Sequence, residues 1–143
     1  MSRSGYSDSC DNWSLICWRG AVASAIRGQR GQRLLRDLLA ALDALPEKRL
    51  IAGALEFDGA YCALGALGTA RGLDLDAIDP DDRDQVGEVF GIASALAAEI
   101  AWENDEGGRF GETPEQRWVR MRDWAQVNLR EADDGNTRME ATP

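Results

Sequence analysis

Five arginines lie between Asn12 and Arg36, in a stretch of the chain that contains no acidic residue. Three of them are spaced three residues apart within residues 26–33, whose sequence is IRGQRGQR. The planar guanidinium group suits recognition of phosphate or carboxylate, and neighbouring glycines let the backbone approach a ligand closely. The pattern therefore predicts a basic partner-binding patch formed by Arg19, Arg27, Arg30, Arg33 and Arg36.

The same stretch has a simpler interpretation as a junction between two helices. It lacks the GxxxxGK[ST] pattern of a P-loop. Arg27 precedes Gly28 and would lie at a helix C-terminus, where the helix dipole favours a cation. The other arginines would then pair with the acidic half of the same chain. Whether the acid that these arginines face is internal or belongs to a partner stays open at this level.

Acidic residues form the second group with a chemical interpretation. Glu99 and Glu103 lie four residues apart, on one face of a helix. Such a pair binds Mg²⁺ when a neighbouring helix supplies further acids, but no pattern predicts that other acids converge here. We therefore expect a solvated helix surface, with no metal, no cofactor and no catalytic residue. The expected acidic partner-binding face consists of Asp81, Asp82, Asp84, Glu88, Glu99 and Glu103.

Residues 84–100, DQVGEVFGIASALAAEI, resemble the helix-turn-helix of bacterial regulators. Gly87 stands where the first helix needs a small residue, and Gly91 falls in the turn. The helix expected to read DNA carries no arginine or lysine and offers Glu99 and Glu103 instead. Because phosphate contacts supply most non-specific affinity, the sequence argues against direct DNA binding. The core positions of this motif are Val86, Phe90, Ile92 and Ile100.

Composition excludes several enzyme classes. The 143 residues include no histidine, so Ser-His-Asp and Cys-His catalysis and mixed His/Cys zinc sites are absent. Three cysteines are too few for a Cys₄ site, and their odd number favours a reducing compartment. No signal-peptide pattern or membrane-length apolar run is present, so we expect a bacterial cytoplasmic location without a membrane partner.

Charge is divided unevenly along the chain, whose formal net charge is −9. Residues 1–72 contain nine Lys and Arg against seven Asp and Glu, whereas residues 73–143 contain seven against eighteen. An acidic surface repels nucleic acid non-specifically and attracts basic surfaces. This asymmetry favours protein partners over DNA.

The sequence pattern predicts that helices position these residues. A first helix is expected from about Asp11 to Gly28, with a contact face formed by Trp13, Ile16, Cys17, Gly20, Ala21 and Ser24. A second has a leucine stripe from Leu34 to Leu45 and ends at Pro46. Asp58-Gly59 predicts a small hairpin within residues 55–61, and a short helix follows from Cys62 to Ala70.

The second half of the chain is expected to hold three more helices. Asp79-Pro80 predicts a helix start, Gly91 breaks the helical pattern, and the next helix runs to about Asp105. Residues 113–116, TPEQ, predict a capping box and a final helix. We expect an all-α bundle of five to six helices as a single domain over residues 1–131, followed by a disordered polar tail over 132–143.

Aromatic and thiol side chains complete the sequence-based prediction of the core. Trp13, Trp118 and Trp124 fit buried stripes, whereas Trp18 and Trp102 fit a surface edge. Two of the cysteines, Cys17 and Cys62, are expected to be small buried residues.

Six segments together resemble a family of small phage and prophage proteins, from about Ser2 to Trp124. No activity is assigned to that family, so no site residue is carried over from it. The resemblance implies a phage origin, a bacterial cytoplasm and an accessory role in infection. The segments are SRSGYSDSCDNW, WRGAVASAIRGQRGQ, ALDALPEKRLIAGALE, CALGALGTARG, FGIASALAAEIAWENDE and ETPEQRWVRMRDW.

Two functional hypotheses follow. The first is a non-enzymatic accessory protein that binds a host or phage protein, including as an acidic inhibitor or DNA mimic that occupies a nucleic-acid-binding machine, as anti-CRISPR proteins do. The second is a helix-turn-helix transcriptional regulator. Competition with DNA for a target distinguishes the first hypothesis, and salt-sensitive duplex binding distinguishes the second. A Mg²⁺-dependent hydrolase is a third and much less favoured hypothesis. The sequence does not predict the oligomeric state.

Overall fold

The computed structural model describes residues 12–130, which form an all-α bundle with one small antiparallel hairpin. None of the described helices is long and apolar enough to span a membrane. The predicted tail over residues 132–143 lies outside the described residues. In chain order the elements are α1 (Asn12–Arg27), α2 (Gln29–Ala44), β1 (Glu56–Phe57), β2 (Ala60–Tyr61), α3 (Ala63–Ala70), a 3₁₀ turn (Leu75–Ala77), α4 (Arg83–Phe90), α5 (Ser94–Glu106) and α6 (Pro114–Asn128).

Helix α2 supplies the centre of the core. Four leucines of its stripe are buried and Leu39 and Leu45 are partly buried, and the helix packs against α1, α3 and α6. The helix ends at Ala44, before Leu45 and Pro46, because proline cannot continue the hydrogen-bond ladder. The largest buried side chains of the core are Leu34, Leu35, Leu38, Leu42, Leu50, Leu67, Leu96, Ile100 and Met121.

The hairpin is confirmed at the predicted dipeptide. Asp58 and Gly59 both have positive φ, 52° and 79°, as a two-residue hairpin turn requires. An isolated pair of two-residue strands is unstable, so the surrounding chain holds it. The amide of Ile51 donates to Tyr61 (2.9 Å) and that of Cys62 donates to Leu55 (3.1 Å). The first bond ties β2 to the segment before the hairpin, and the second ties that segment to the N-cap residue of α3.

The predicted start of α4 at Asp79-Pro80 is wrong. The helix begins at Arg83, and its N-cap is Asp82, whose carboxylate accepts from the amide of Gln85 at 3.1 Å. Asp79 instead caps a turn by accepting from the amide of Asp81 at 3.0 Å. Both aspartates suit a cap, and the sequence does not show which of them the helix uses.

Helix α1 buries a different face from the predicted one. Trp18 is 6% exposed and Val22 is also buried, whereas Trp13 is 70% exposed. The expected contact face, which includes Ile16 and Gly20, points to solvent in the described part of the chain. The sequence pattern predicted the wrong face because small and apolar residues occupy both faces of α1. The face that is buried depends on how α1 packs against α2 and α5.

The two described cysteines differ in exposure, which corrects the prediction for Cys17. The Cys17 thiol is exposed, whereas Cys62 is buried, and burial raises the pKa of Cys62 to about 11.

The two thiols should react at different rates. Since the thiolate is the reactive form, we expect only one fast-reacting thiol in a Cys10→Ser variant treated with a colorimetric disulfide reagent. The second should react only after denaturant is added. Two fast thiols in the native protein would contradict the burial of Cys62.

Helix α6 begins as predicted. Thr113 accepts from the amide of Gln116 at 3.1 Å, and the Gln116 side chain accepts from the amide of Thr113 at 2.9 Å, which completes a capping box. The indole of Trp118 donates to the carbonyl of Leu42 at 3.0 Å. Both Trp118 and Trp124 are half-buried against the core, in the predicted stripe.

Candidate interaction surface

The five predicted arginines are all exposed, but they do not form one patch around a single pocket. Arg19 and Arg27 line a groove beside α1, whereas Arg30 lines a separate depression near Gly28. Arg33 and Arg36 lie on the outer side of α2. Within residues 12–130, none of the five forms an ion pair.

Carboxylates close to the arginines in sequence bind other partners. Asp37 accepts from Arg71 at 2.9 Å, and Asp43 accepts from Arg122 at 2.7 Å. The hydrogen bond from Arg122 lowers the pKa of Asp43. The prediction that the clustered arginines pair with this chain's own acid is therefore not met among the described residues. Their positive charge faces solvent.

The groove lined by Arg19 and Arg27 is the best-formed cationic site, and we call it the basic groove. Its volume is about 420 Å³, and it lies between α1, α5 and the end of α6. Arg130 adds a third guanidinium to its lining. Trp18 and Val22 are buried beneath it beside the buried Glu99, so the groove combines a mostly apolar floor, which includes one carboxylate, with a cationic rim. Such a combination fits an acidic protein segment with an apolar side chain.

A buried glutamine fixes the chain at the end of the basic groove. The Gln32 amide donates to the carbonyls of Ile26 (2.7 Å) and Asn128 (3.2 Å). Its Oε1 accepts from the amide of Arg130 at 2.7 Å. Gln32 thereby ties the end of α1 to the end of α6 and positions Arg130. This contact was not predictable from the sequence, because Gln32 and Arg130 are 98 positions apart.

Two residues of the expected acidic face do not belong to an exposed surface. Glu99 is only 4% exposed and lines the basic groove. Glu103 is half-buried and pairs with Arg120 at 3.6 Å. Since α5 packs against α1, α3, α4 and α6, this part of the helix is interior rather than solvated. The interpretation of Glu99 and Glu103 as solvated surface is therefore wrong.

The other four members of the expected acidic face are exposed. One of them, Asp82, has a structural role as the N-cap of α4. Within residues 74–88 a single basic residue accompanies seven acids. The exposed set from the predicted face is Asp81, Asp82, Asp84 and Glu88.

Glu112 anchors an ion-pair network that the sequence did not indicate. It accepts from Arg120 at 2.6 Å and 3.0 Å, and Arg117 lies 3.4 Å away. The hydrogen bond from Arg120 is the main reason that the pKa of Glu112 is lowered. The network joins the loop before α6 to the end of α5.

Replacement of Glu112 should make the protein less sensitive to acid. A carboxyl group with a lowered pKa stabilises the fold above its unfolded pKa of about 4.5, and this contribution is lost as the pH falls through the folded value. At pH 7 we expect Glu112→Gln to cost roughly 1 kcal/mol. Urea unfolding at several pH values should show this difference shrinking below pH 4.5, and a constant difference would contradict the argument.

Helices α4 and α5 are joined by a turn at Gly91, but the second of the two helices is interior. Gly91 has φ 73° in the turn, and an added Cβ at Gly87 would lie 2.8 Å from the carbonyl oxygen of Ile92. Six residues of α5 are buried. A recognition helix must present side chains to the major groove, so the burial of α5 is unfavourable to that role. The predicted core residues Val86, Phe90, Ile92 and Ile100 are all buried.

No group of three or more potential metal ligands occurs in the part of the chain that the structure describes.

Comparison of the sequence with protein-family models and with curated proteins gives no match, and neither does comparison with solved structures.

Proposed function

We propose that this chain is a non-enzymatic accessory protein of a phage or prophage that acts by binding a host or phage protein in the bacterial cytoplasm. The observation that carries the proposal is the basic groove. Arg19, Arg27 and Arg130 lie around a mostly apolar floor that also contains the buried Glu99, and no ion pair joins any of the three arginines to a carboxylate of residues 12–130. The partner contributes an acidic segment that enters this groove.

Charge and burial support a protein partner with acidic residues. Guanidinium groups form paired hydrogen bonds with carboxylates, and buried apolar area beneath them adds affinity that does not depend on salt. The exposed acids of residues 81–88 repel DNA and so favour a protein over a nucleic acid as the partner. Phage origin rests on the resemblance of the sequence motifs alone.

The test is capture of a partner by the purified protein from nuclease-treated host lysate, followed by affinity measurements with the purified partner. The groove variant carries Gln in place of Arg19, Arg27 and Arg130. Each lost contact is expected to be worth about 0.5–1 kcal/mol, so affinity should fall roughly tenfold or more. A control variant with Gln in place of Arg33, Arg36 and Arg109 changes net charge equally but leaves the groove intact. Equal losses in both variants would contradict the proposal.

A second candidate is the acidic inhibitor of a nucleic-acid-binding protein. The exposed acids Asp81, Asp82, Asp84 and Glu88 favour it, since a dense row of carboxylates can occupy a phosphate-binding surface. This candidate predicts that the protein competes with DNA for its target while binding no DNA itself. Replacement of Asp81, Asp84 and Glu88 by Asn or Gln should abolish the competition, and the groove variant should retain it.

The resemblance of residues 84–100 to a helix-turn-helix, together with the turn between α4 and α5, supports a DNA-binding regulator as the alternative. It predicts binding of labelled duplex DNA that weakens steeply between low and physiological salt. Absence of binding at low salt would remove this alternative. Binding at physiological salt that is lost in the groove variant would replace the protein partner with DNA.

A further inference from the structure

A second cavity shares no lining residue with the basic groove, and its buried walls are mostly apolar. It lies between the segment before the hairpin, the start of α3, the start of α4 and the middle of α5. Its buried walls carry no charged side chain, and the Cys62 thiol among them stays protonated at neutral pH because burial raises its pKa to about 11. The buried lining residues are Leu55, Cys62, Leu64, Val86, Ala98, Ile100 and Asn104, and the side-chain amide of Asn104 is already hydrogen-bonded to Ala63 and Ile51.

The volume of this cavity sets the size of a ligand. It is about 210 Å³, whereas an apolar protein cavity of roughly 150 Å³ accommodates benzene. One six-membered ring with a two-carbon arm, or a short alkyl chain, therefore fits. Burial of such a group against the apolar walls is favourable because it removes apolar surface from water.

Three carboxylates line the exposed side of the cavity, namely those of Asp81, Asp105 and Glu106, and no lining residue is basic. Asp105 is held in place, because its Oδ1 accepts from the Gly53 amide (3.1 Å) and the Asn104 side chain (2.8 Å). Its Oδ2 accepts from none of the described residues. A preorganised acceptor thus lies at the edge of an apolar space.

The cation that complements these acids is organic rather than metallic. Within the described residues, no three of the acids and thiols are close enough together to hold a metal ion. An ammonium group needs only one or two carboxylates and can reach them from an arm whose apolar end fills the cavity. We propose that this cavity binds a small primary amine with an aromatic or alkyl body, with the ammonium group at Asp105 and Asp81.

The experiment is a calorimetric titration of the full chain with 2-phenylethylamine, with 2-phenylethanol and phenylacetate as probes of matched shape. We expect the amine to bind, the neutral alcohol to bind roughly 5- to 10-fold more weakly, and the acid not to bind, as expected for one to two partly exposed charge pairs. Equal affinity for amine and alcohol would overturn the proposed ligand class, and no binding of the amine at millimolar concentration would overturn the site.

Variants localise the binding. Asp81→Asn with Asp105→Asn should weaken the amine roughly 5-fold or more and leave the alcohol unchanged, because the amide oxygen introduced at position 105 can still accept from Gly53. Ala101→Leu fills the cavity from its half-exposed wall and should abolish binding of both. Asp84→Asn, on α4 but outside the lining, is the control and should bind like the wild type. Retained amine binding in Ala101→Leu would place the ligand elsewhere and overturn the proposal. Since the cavity and the basic groove share no lining residue, amine binding can fail or succeed whatever the outcome of the test of the proposed function.

Discussion

Gly65→Ala should lower the free energy of unfolding by roughly 3 kcal/mol, about 10 °C in Tm. A Cβ at this position would lie 1.8 Å from the carbonyl oxygen of Leu55 and 2.8 Å from its carbon. That carbonyl cannot move freely, because it accepts from the amide of Cys62 at 3.1 Å. Helix α3 must therefore move away from the hairpin segment, and buried neighbours such as Leu64 and Leu67 must lose packing.

Gly20→Ala is the matched control for this prediction. Gly20 is an exposed helical glycine, and nothing lies within 4 Å of an added Cβ. Alanine should stabilise the helix by about 0.5–1 kcal/mol, since glycine loses more backbone entropy on folding. Thermal and urea unfolding followed by circular dichroism measure both variants. A Gly65→Ala protein that melts within about 2 °C of the wild type would contradict the close contact.

Signals carried by local backbone chemistry were sufficient to predict most helix boundaries. Gly59 and Gly91 were identified because a turn at each position requires a positive φ, and both have it. The capping box at Thr113 was identified because two side chains three residues apart satisfy each other's backbone amides. These features depend on neighbours in sequence, so a single sequence contains the information.

Features that depend on distant contacts were not predictable. The buried face of α1 is chosen by α2 and α5, because Trp13 and Trp18 are equally apolar. Glu99 was assigned to solvent, since glutamate is rarely buried, yet the packing of four helices around α5 encloses it. Of the candidate site, Arg19 and Arg27 were identified by residue type, whereas Arg130 reaches the groove through Gln32.

Asn104→Ala should destabilise the protein by about 3 kcal/mol. Asn104 is 2% exposed, and its Oδ1 accepts from the amide of Ala63 at 3.0 Å. Its Nδ2 donates to the carbonyl of Ile51 at 2.8 Å and to Asp105 at 2.8 Å. Removal leaves a buried amide at the first residue of α3 without its acceptor, and each unsatisfied buried group costs about 1–3 kcal/mol. Urea unfolding at neutral pH measures the loss.

Two further variants separate hydrogen bonding from packing. Asn128→Ala removes an amide whose Nδ2 donates to Trp124 at 2.8 Å within its own helix, and it should cost less than about 1 kcal/mol. Asn104→Asp retains an acceptor for Ala63 but places a second carboxylate beside Asp105. Burial raises the folded pKa of the introduced carboxyl group, so the loss of stability relative to the wild type should be smallest at low pH and should grow as the pH rises through about 4. If Asn104→Asp were as stable as the wild type at pH 7, the donor bonds to Ile51 and Asp105 would contribute nothing, and the bond accepted from Ala63 together with side-chain volume would account for the stability that Asn104 supplies.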